Sequence, residues 1–88
     1  MIPIKFRGRA INGGYYVWGD GLLQLNGKIY IVTQAGRREC KRGSVKLLAG
    51  YDKNGTELYE DDYVADEFGN ESRVCLWHID FSRLELKP

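Results

Sequence analysis

The sequence predicts an all-β fold, and three observations carry that prediction. Eleven glycines against two prolines, with eleven aromatic residues in 88, favour short strands joined by tight turns. Apolar and polar residues alternate at strand period over residues 2–7 and 84–87, and no stretch keeps a helical period over a useful length. Asn-Gly pairs at 26–27 and 54–55 supply the positive-φ geometry of tight hairpin turns. A chain of this length makes one small domain, taken as residues 1–88.

In chain order, Ile2, Ile4 and Phe6 alternate with Pro3, Lys5 and Arg7, which predicts a half-buried strand over residues 2–7. Gly8 and the Asn12-Gly13-Gly14 cluster read as its end. Tyr15 to Trp18 form a second, aromatic strand closed by Gly19-Asp20-Gly21. Residues 22–32 are the strongest local hairpin. A type I′ turn at Asn26-Gly27 sets Leu25 opposite Lys28, Gln24 opposite Ile29, Leu23 opposite Tyr30 and Leu22 opposite Ile31. Leu23, Leu25 and Tyr30 then share one side, and Leu22, Ile29 and Ile31 the other. A hairpin apolar on both sides is either covered twice or offered to a partner. Residues 33–44 are polar and basic and read as a loop. Strands are expected over residues 45–49, briefly at 58–59, over 63–68, over 73–79 and at 84–86, with turns at Asp52–Gly55 and Gly69-Asn70.

The net charge of +1 hides an asymmetry. Residues 1–50 carry nine Lys/Arg against two acidic residues, and residues 51–88 carry four against ten. Such a split marks either an electropositive face for an anionic partner or two halves that attract each other. Two cysteines, Cys40 and Cys75, are too few for a disulfide framework. No apolar run approaches a membrane span, and no signal peptide opens the chain, so a cytoplasmic protein with reduced thiols is expected.

One stretch is distinctive enough to suggest a family. At Asp52-Lys53-Asn54-Gly55-Thr56-Glu57-Leu58-Tyr59-Glu60-Asp61-Asp62-Tyr63-Val64 the chain resembles the YopX family of small phage and prophage proteins, whose segment reads DKNGxEIYEGDIV. The likeness extends to Ile4-Lys5-Phe6-Arg7-Gly8 and to Tyr16-Val17-Trp18-Gly19-Asp20-Gly21-Leu22-Leu23, the latter close to the family's WVYGDLL with one residue inserted. Val45 and Gly50 fit the segment before the turn. The resemblance implies a compact β fold with an SH3-like barrel component, a mobile-element origin, a bacterial host cytoplasm and no assigned activity. It also implies a structural role for Asp52, Asn54, Gly55, Tyr59, Glu60 and Asp62. Three departures stand out. Asp61 replaces a Gly, Tyr63 replaces a β-branched residue, and Lys46-Leu47-Leu48-Ala49 replaces a Gly-Gln-rich run.

The candidate chemistry is thin. Glu57, Glu60, Asp61 and Asp62 could bind a cation or act as acid and base, but the spacing of a calcium loop is absent. Asp at a bend accepts backbone N–H bonds, so a structural reading is preferred. Cys40, Cys75 and His78 lack the four-ligand spacing of a structural zinc site, and positions 75 and 78 of one strand point to opposite faces. Neither a nucleophile with a positioned base nor a phosphate-binding glycine fingerprint is present. No catalytic residue, cofactor, metal or small-molecule substrate is expected.

What remains is binding. The favoured expectation is a protein-interaction or self-assembling module, a homo-oligomer using the two-sided hairpin. The alternative is a nucleic-acid-binding accessory protein. Arg37, Arg38, Lys41, Arg42 and Lys46 place five cations within ten positions, with Tyr15, Tyr16, Trp18 and Tyr30 near in sequence. Cations engage phosphates and aromatic rings stack on bases.

Overall fold

The computed structural model describes residues 3–76 and 80–87. It is all-β, with ten short strands arranged as three small antiparallel sheets, none of them closed among the described residues. The chain divides into two compact units, Pro3–Leu47 and the stretch from Leu48 onward.

In the first unit, β1 (Phe6–Arg9) pairs with β2 (Tyr16–Gly19), and β3 (Gly21–Leu25), β4 (Lys28–Thr33) and β5 (Gly36–Cys40) form a three-stranded sheet in that order. The β3–β4 register is the predicted one at every pair from Leu22↔Ile31 to Leu25↔Lys28. Asn26 at φ 53° and Gly27 at φ 77° adopt the two positive-φ conformations that a type I′ turn requires. One side of the hairpin faces the core through Ile31, which is fully buried. The other side leaves Leu25 and Val32 exposed.

Three expectations are corrected here. The first strand begins at Phe6 rather than at residue 2, and Ile2 lies outside the described residues. Gly8 does not break it. It sits buried in β1, where an added Cβ would come within 3.0 Å of Cys40 Sγ and Ile31 Cδ1. The gap is a packing requirement. Residues 33–44 are likewise not one loop, because β5 occupies 36–40 and pairs with β4 from Thr33↔Gly36 to Ile29↔Cys40. The Thr33 hydroxyl turns the chain there, accepting from Ala35 N–H and donating to the Gly36 carbonyl. The isolated bridge Ala10↔Cys40 ties the end of β5 to the continuation of β1. Ala10, Val17, Ile31 and Cys40 make the core of this unit, with Phe6, Ile29 and Val45 packed against them.

β6 (Lys46–Tyr51) starts in the first unit, where Leu47 and Lys46 pair with Phe6 and Arg7. Its remainder pairs with β7 (Glu57–Tyr59), through a bulge between Leu48 and Gly50. β8 (Tyr63–Ala65) lies between β10 (Glu85–Leu86) and β9 (Glu71–Arg73). The core of this second unit is Ala49, Leu58, Val64, Val74 and Phe81, flanked by Leu84 and Leu86. The strand expected over 63–68 stops at Ala65, since Asp66 opens a loop. The strand expected over 73–79 lies earlier, at 71–73, and Trp77, His78 and Ile79 fall outside the described residues.

The motif residues build this second unit. Asp52 accepts the N–H of Asn54 at 2.8 Å and of Thr56 at 2.9 Å on Oδ1, while Gly55 N–H closes the turn on the Asp52 carbonyl. Tyr59 is buried, and its hydroxyl donates to Glu57. Asp62 Oδ2 accepts the Tyr59 N–H at 2.8 Å, so the acidic string is a carboxylate-held bend leading into β8. Asp61, within the same bend, takes φ 71°. This positive-φ conformation is held by a non-glycine side chain, of the type that tolerates it best after Asn.

Candidate nucleic-acid interface

Strand alternation and register create the most distinctive surface of the first unit. Directly opposed residues of antiparallel strands project to the same side. In β1 and β2 the opposed pairs are Arg7↔Trp18 and Arg9↔Tyr16, whereas Gly8↔Val17 and Phe6↔Gly19 project to the other side. Lys46 of β6 stands opposite Arg7 on the edge of β1 away from β2. One face therefore carries a row Trp18–Arg7–Lys46 beside a row Tyr16–Arg9, with Val17 buried behind it.

The side chains engage one another closely. The Arg9 guanidinium lies 4.1 Å from the Tyr16 ring centroid and that of Arg7 4.9 Å from it. Arg9 also donates to the Tyr16 hydroxyl and to the Gly14 carbonyl, both at 3.0 Å. The Tyr16 and Trp18 rings are 5.7 Å apart and tilted by 43°. Cation–π contact and a fixed fork limit the rotamers of Arg9, so its charge is presented in a set position. Trp18 keeps 46% of its surface exposed and Tyr16 41%.

The five cations singled out in the sequence are dispersed. Lys46 joins the Arg7 row. Lys41 is exposed, with its ammonium group 3.7 Å from where a Cβ on Gly14 would stand, beside the Arg9 cluster. Arg37 leaves that face and lies over Tyr30, 5.0 Å from its ring centroid, on the outer side of the hairpin. Arg38 shares a small cleft of about 220 Å³ with Tyr15, Asn12 and Arg37. Arg42 is at the exposed tip of the turn that Ser44 N–H closes on the Lys41 carbonyl. Arg9 and Arg7 are the cations that sequence reasoning missed as contacts. The available signal was the matched alternation Arg7-Gly8-Arg9 and Tyr16-Val17-Trp18 across a tight glycine turn.

The remaining candidates occupy structural positions. Cys40 is buried, and burial pushes its thiol pKa up. The Ile31 backbone bond opposes this and the neighbouring Glu39 charge adds to it. Such a thiol is a weak nucleophile. Cys40 and Cys75 are both unbridged. Among the described residues no group of three or more His, Cys, Asp or Glu is placed to hold a metal ion, and no helix is long and apolar enough to cross a membrane. Comparison with protein-family models, with curated proteins and with solved structures found no match to this chain.

Proposed function

We propose that this chain is a non-catalytic binding module whose ligand is nucleic acid, held on the face formed by Arg7, Arg9, Lys46, Tyr16 and Trp18. The observation that supports this reading is the interleaving of three cations and two exposed aromatic rings on one side of paired strands. Cations neutralise phosphates and release counterions, and flat rings stack on bases. The unit is also strongly basic, with Asp20 and Glu39 its only acids between residues 3 and 47. The Asp52–Val64 motif further suggests a YopX-like protein of phage or prophage origin acting in a bacterial cytoplasm, with an SH3-like barrel as its finer fold.

Anisotropy titration of labelled oligonucleotides over a salt series tests the proposal. Affinity is expected to fall linearly in log–log with salt, with a slope of roughly −2 to −3 for three to four phosphate contacts. Arg7→Glu with Arg9→Glu should remove at least about 30-fold of the affinity at low salt. Reversing Arg37 and Arg42, which lie off the face, should cost far less. Binding that is absent, or indifferent to salt, would sink this reading.

A second reading has its own observation. The outer side of the β3–β4 hairpin leaves Leu25 and Val32 exposed beside partly buried Leu23 and Tyr30. An apolar strip of this kind suits self-association. It predicts a concentration-dependent mass in light scattering that Leu25→Lys with Val32→Lys abolishes; a strict monomer at all concentrations would count against it.

A further inference from the structure

We propose that the cleft beside Trp18 receives one unstacked base of a single-stranded nucleic acid, and favours a base carrying an exocyclic amino group. This deepens the nucleic-acid reading and rests on it. The cleft has a volume of about 380 Å³ and is lined by Ile4, Lys5, Trp18, Asp20, Thr33 and Gln34, among others. That volume falls in the range of roughly 300–1,000 Å³ typical of sites for small organic groups. Trp18 belongs both to this wall and to the row with Arg7 and Lys46. A strand whose phosphates lie along that row passes the cleft mouth, and the indole supplies a stacking surface for the base turned into it.

The polar lining decides which base. The Thr33 hydroxyl is committed to its own turn, accepting from Ala35 and donating to Gly36. The Asp20 carboxylate and Gln34 amide have no such engagement among the described residues. An ionised carboxylate only accepts hydrogen bonds. It matches an amino group such as cytosine N4, whereas thymine offers one N–H set between two carbonyl oxygens. In a binder of polyanions an aspartate lowers general affinity, so its place in the cleft has a selective rather than an attractive effect. Lys5 at the same wall offsets part of that repulsion.

Anisotropy with labelled dC and dT dodecamers and a 12-base-pair duplex tests this on the full chain, with tryptophan fluorescence in the Trp77→Phe background as a second readout. The dC strand is expected to bind at least about fivefold tighter than dT, and both tighter than the duplex, with quenching of Trp18. Asp20→Asn should level dC and dT without changing the salt slope, and Trp18→Ala should weaken single-strand binding by about tenfold or more. Salt-dependent binding with dC and dT equal, or with the duplex bound as tightly as either, would overturn the base cleft while leaving the basic face intact. Absence of salt-dependent binding to all three would overturn both.

Discussion

Replacing Asp52 with alanine is expected to destabilise the unit from Leu48 onward by about 3 kcal/mol, the sum to be expected when a buried carboxylate that accepts three backbone N–H bonds is removed. Asp52 is 6% exposed and accepts three backbone N–H groups, from Asn54, Thr56 and Leu86. The bond from Leu86, at 3.0 Å, spans 34 residues and holds β10 against the turn. Asp52→Asn preserves the shape but must aim an NH₂ group at one of those donors, so about 2 kcal/mol is expected even for this near-isosteric change. Burial raises the Asp52 pKa. The bond from Leu86 and those from Thr56 and Asn54 lower it by more, so the net value lies below the ordinary 3.8. A depressed carboxylate stabilises the fold above its unfolded pKa and loses that contribution as pH falls through the folded value. The native chain should therefore show an acid limb of destabilisation below about pH 4 that Asp52→Asn flattens. Urea unfolding at a series of pH values measures both effects. Equal acid limbs in the two proteins would show that Asp52 is not the group responsible.

The same loop occurs twice. Asp66 accepts the N–H of Phe68 and Asn70, both at 2.9 Å, Gly69 N–H closes on the Asp66 carbonyl, and Asp66 N–H donates to the Asn70 carbonyl. Every one of these bonds has its counterpart at Asp52, Asn54, Gly55 and Thr56. Gly55 at φ 81° and Gly69 at φ 83° occupy the same place. The difference is tertiary. Asp66 is only partly buried, and among the described residues its second oxygen takes the Asn70 amide alone, whereas that of Asp52 holds a distant strand. Asp66→Ala should accordingly cost less than Asp52→Ala.

This recurrence shows where the sequence is legible. Asp52-Lys53-Asn54-Gly55 announces itself because Asn-Gly is a strong turn signal, and the 22–32 hairpin is read to the residue for the same reason. Asp66-Glu67-Phe68-Gly69 carries identical geometry but hides behind Phe68, which reads as the end of a strand. β5 hides differently. Arg37, Arg38 and Glu39 are polar on both sides, and only Cys40 is fully buried, so no apolar alternation reports the strand. Its existence depends on β4 offering an unpaired edge, which is a tertiary fact. The basic face suffers from the same limit. Five cations close together in sequence look like one patch, yet the register scatters them over the Tyr30 side, the Tyr15 cleft and the Arg7 row. Arg9, 37 residues from Lys46, becomes part of the same surface only when β1 pairs with both β2 and β6.

Gly19→Ala is expected to cost about 3 kcal/mol, near the upper end for overpacking, because the obstacle is backbone. Gly19 ends β2 where that strand passes over β4, and an added Cβ would land on the Val32 carbonyl oxygen and 2.6 Å from Ile31 Cγ2. Ile31 is the fully buried centre of this core, and the Val32 carbonyl belongs to a strand paired on both sides, so neither yields without moving β4. Two other glycines separate this cause from conformational strain. Gly27 has nothing within 4 Å of a Cβ but holds φ 77°, so Gly27→Ala should cost about 1 kcal/mol through backbone strain alone. Gly8 faces side-chain atoms at 3.0–3.2 Å, which can shift by tenths of an ångström, so Gly8→Ala should fall between them. The order Gly19, Gly8, Gly27 in urea midpoint loss is the expected outcome. At roughly 4–8 °C per kcal/mol, the first change should lower the melting temperature by about 15 °C. Gly19 also stands between Trp18 and Asp20, so separating β2 from β4 displaces both walls of the base cleft. Under conditions where the variant is still folded, it should lose the preference for dC over dT. A Gly19→Ala protein as stable as Gly27→Ala would mean that β2 does not pass so close over β4.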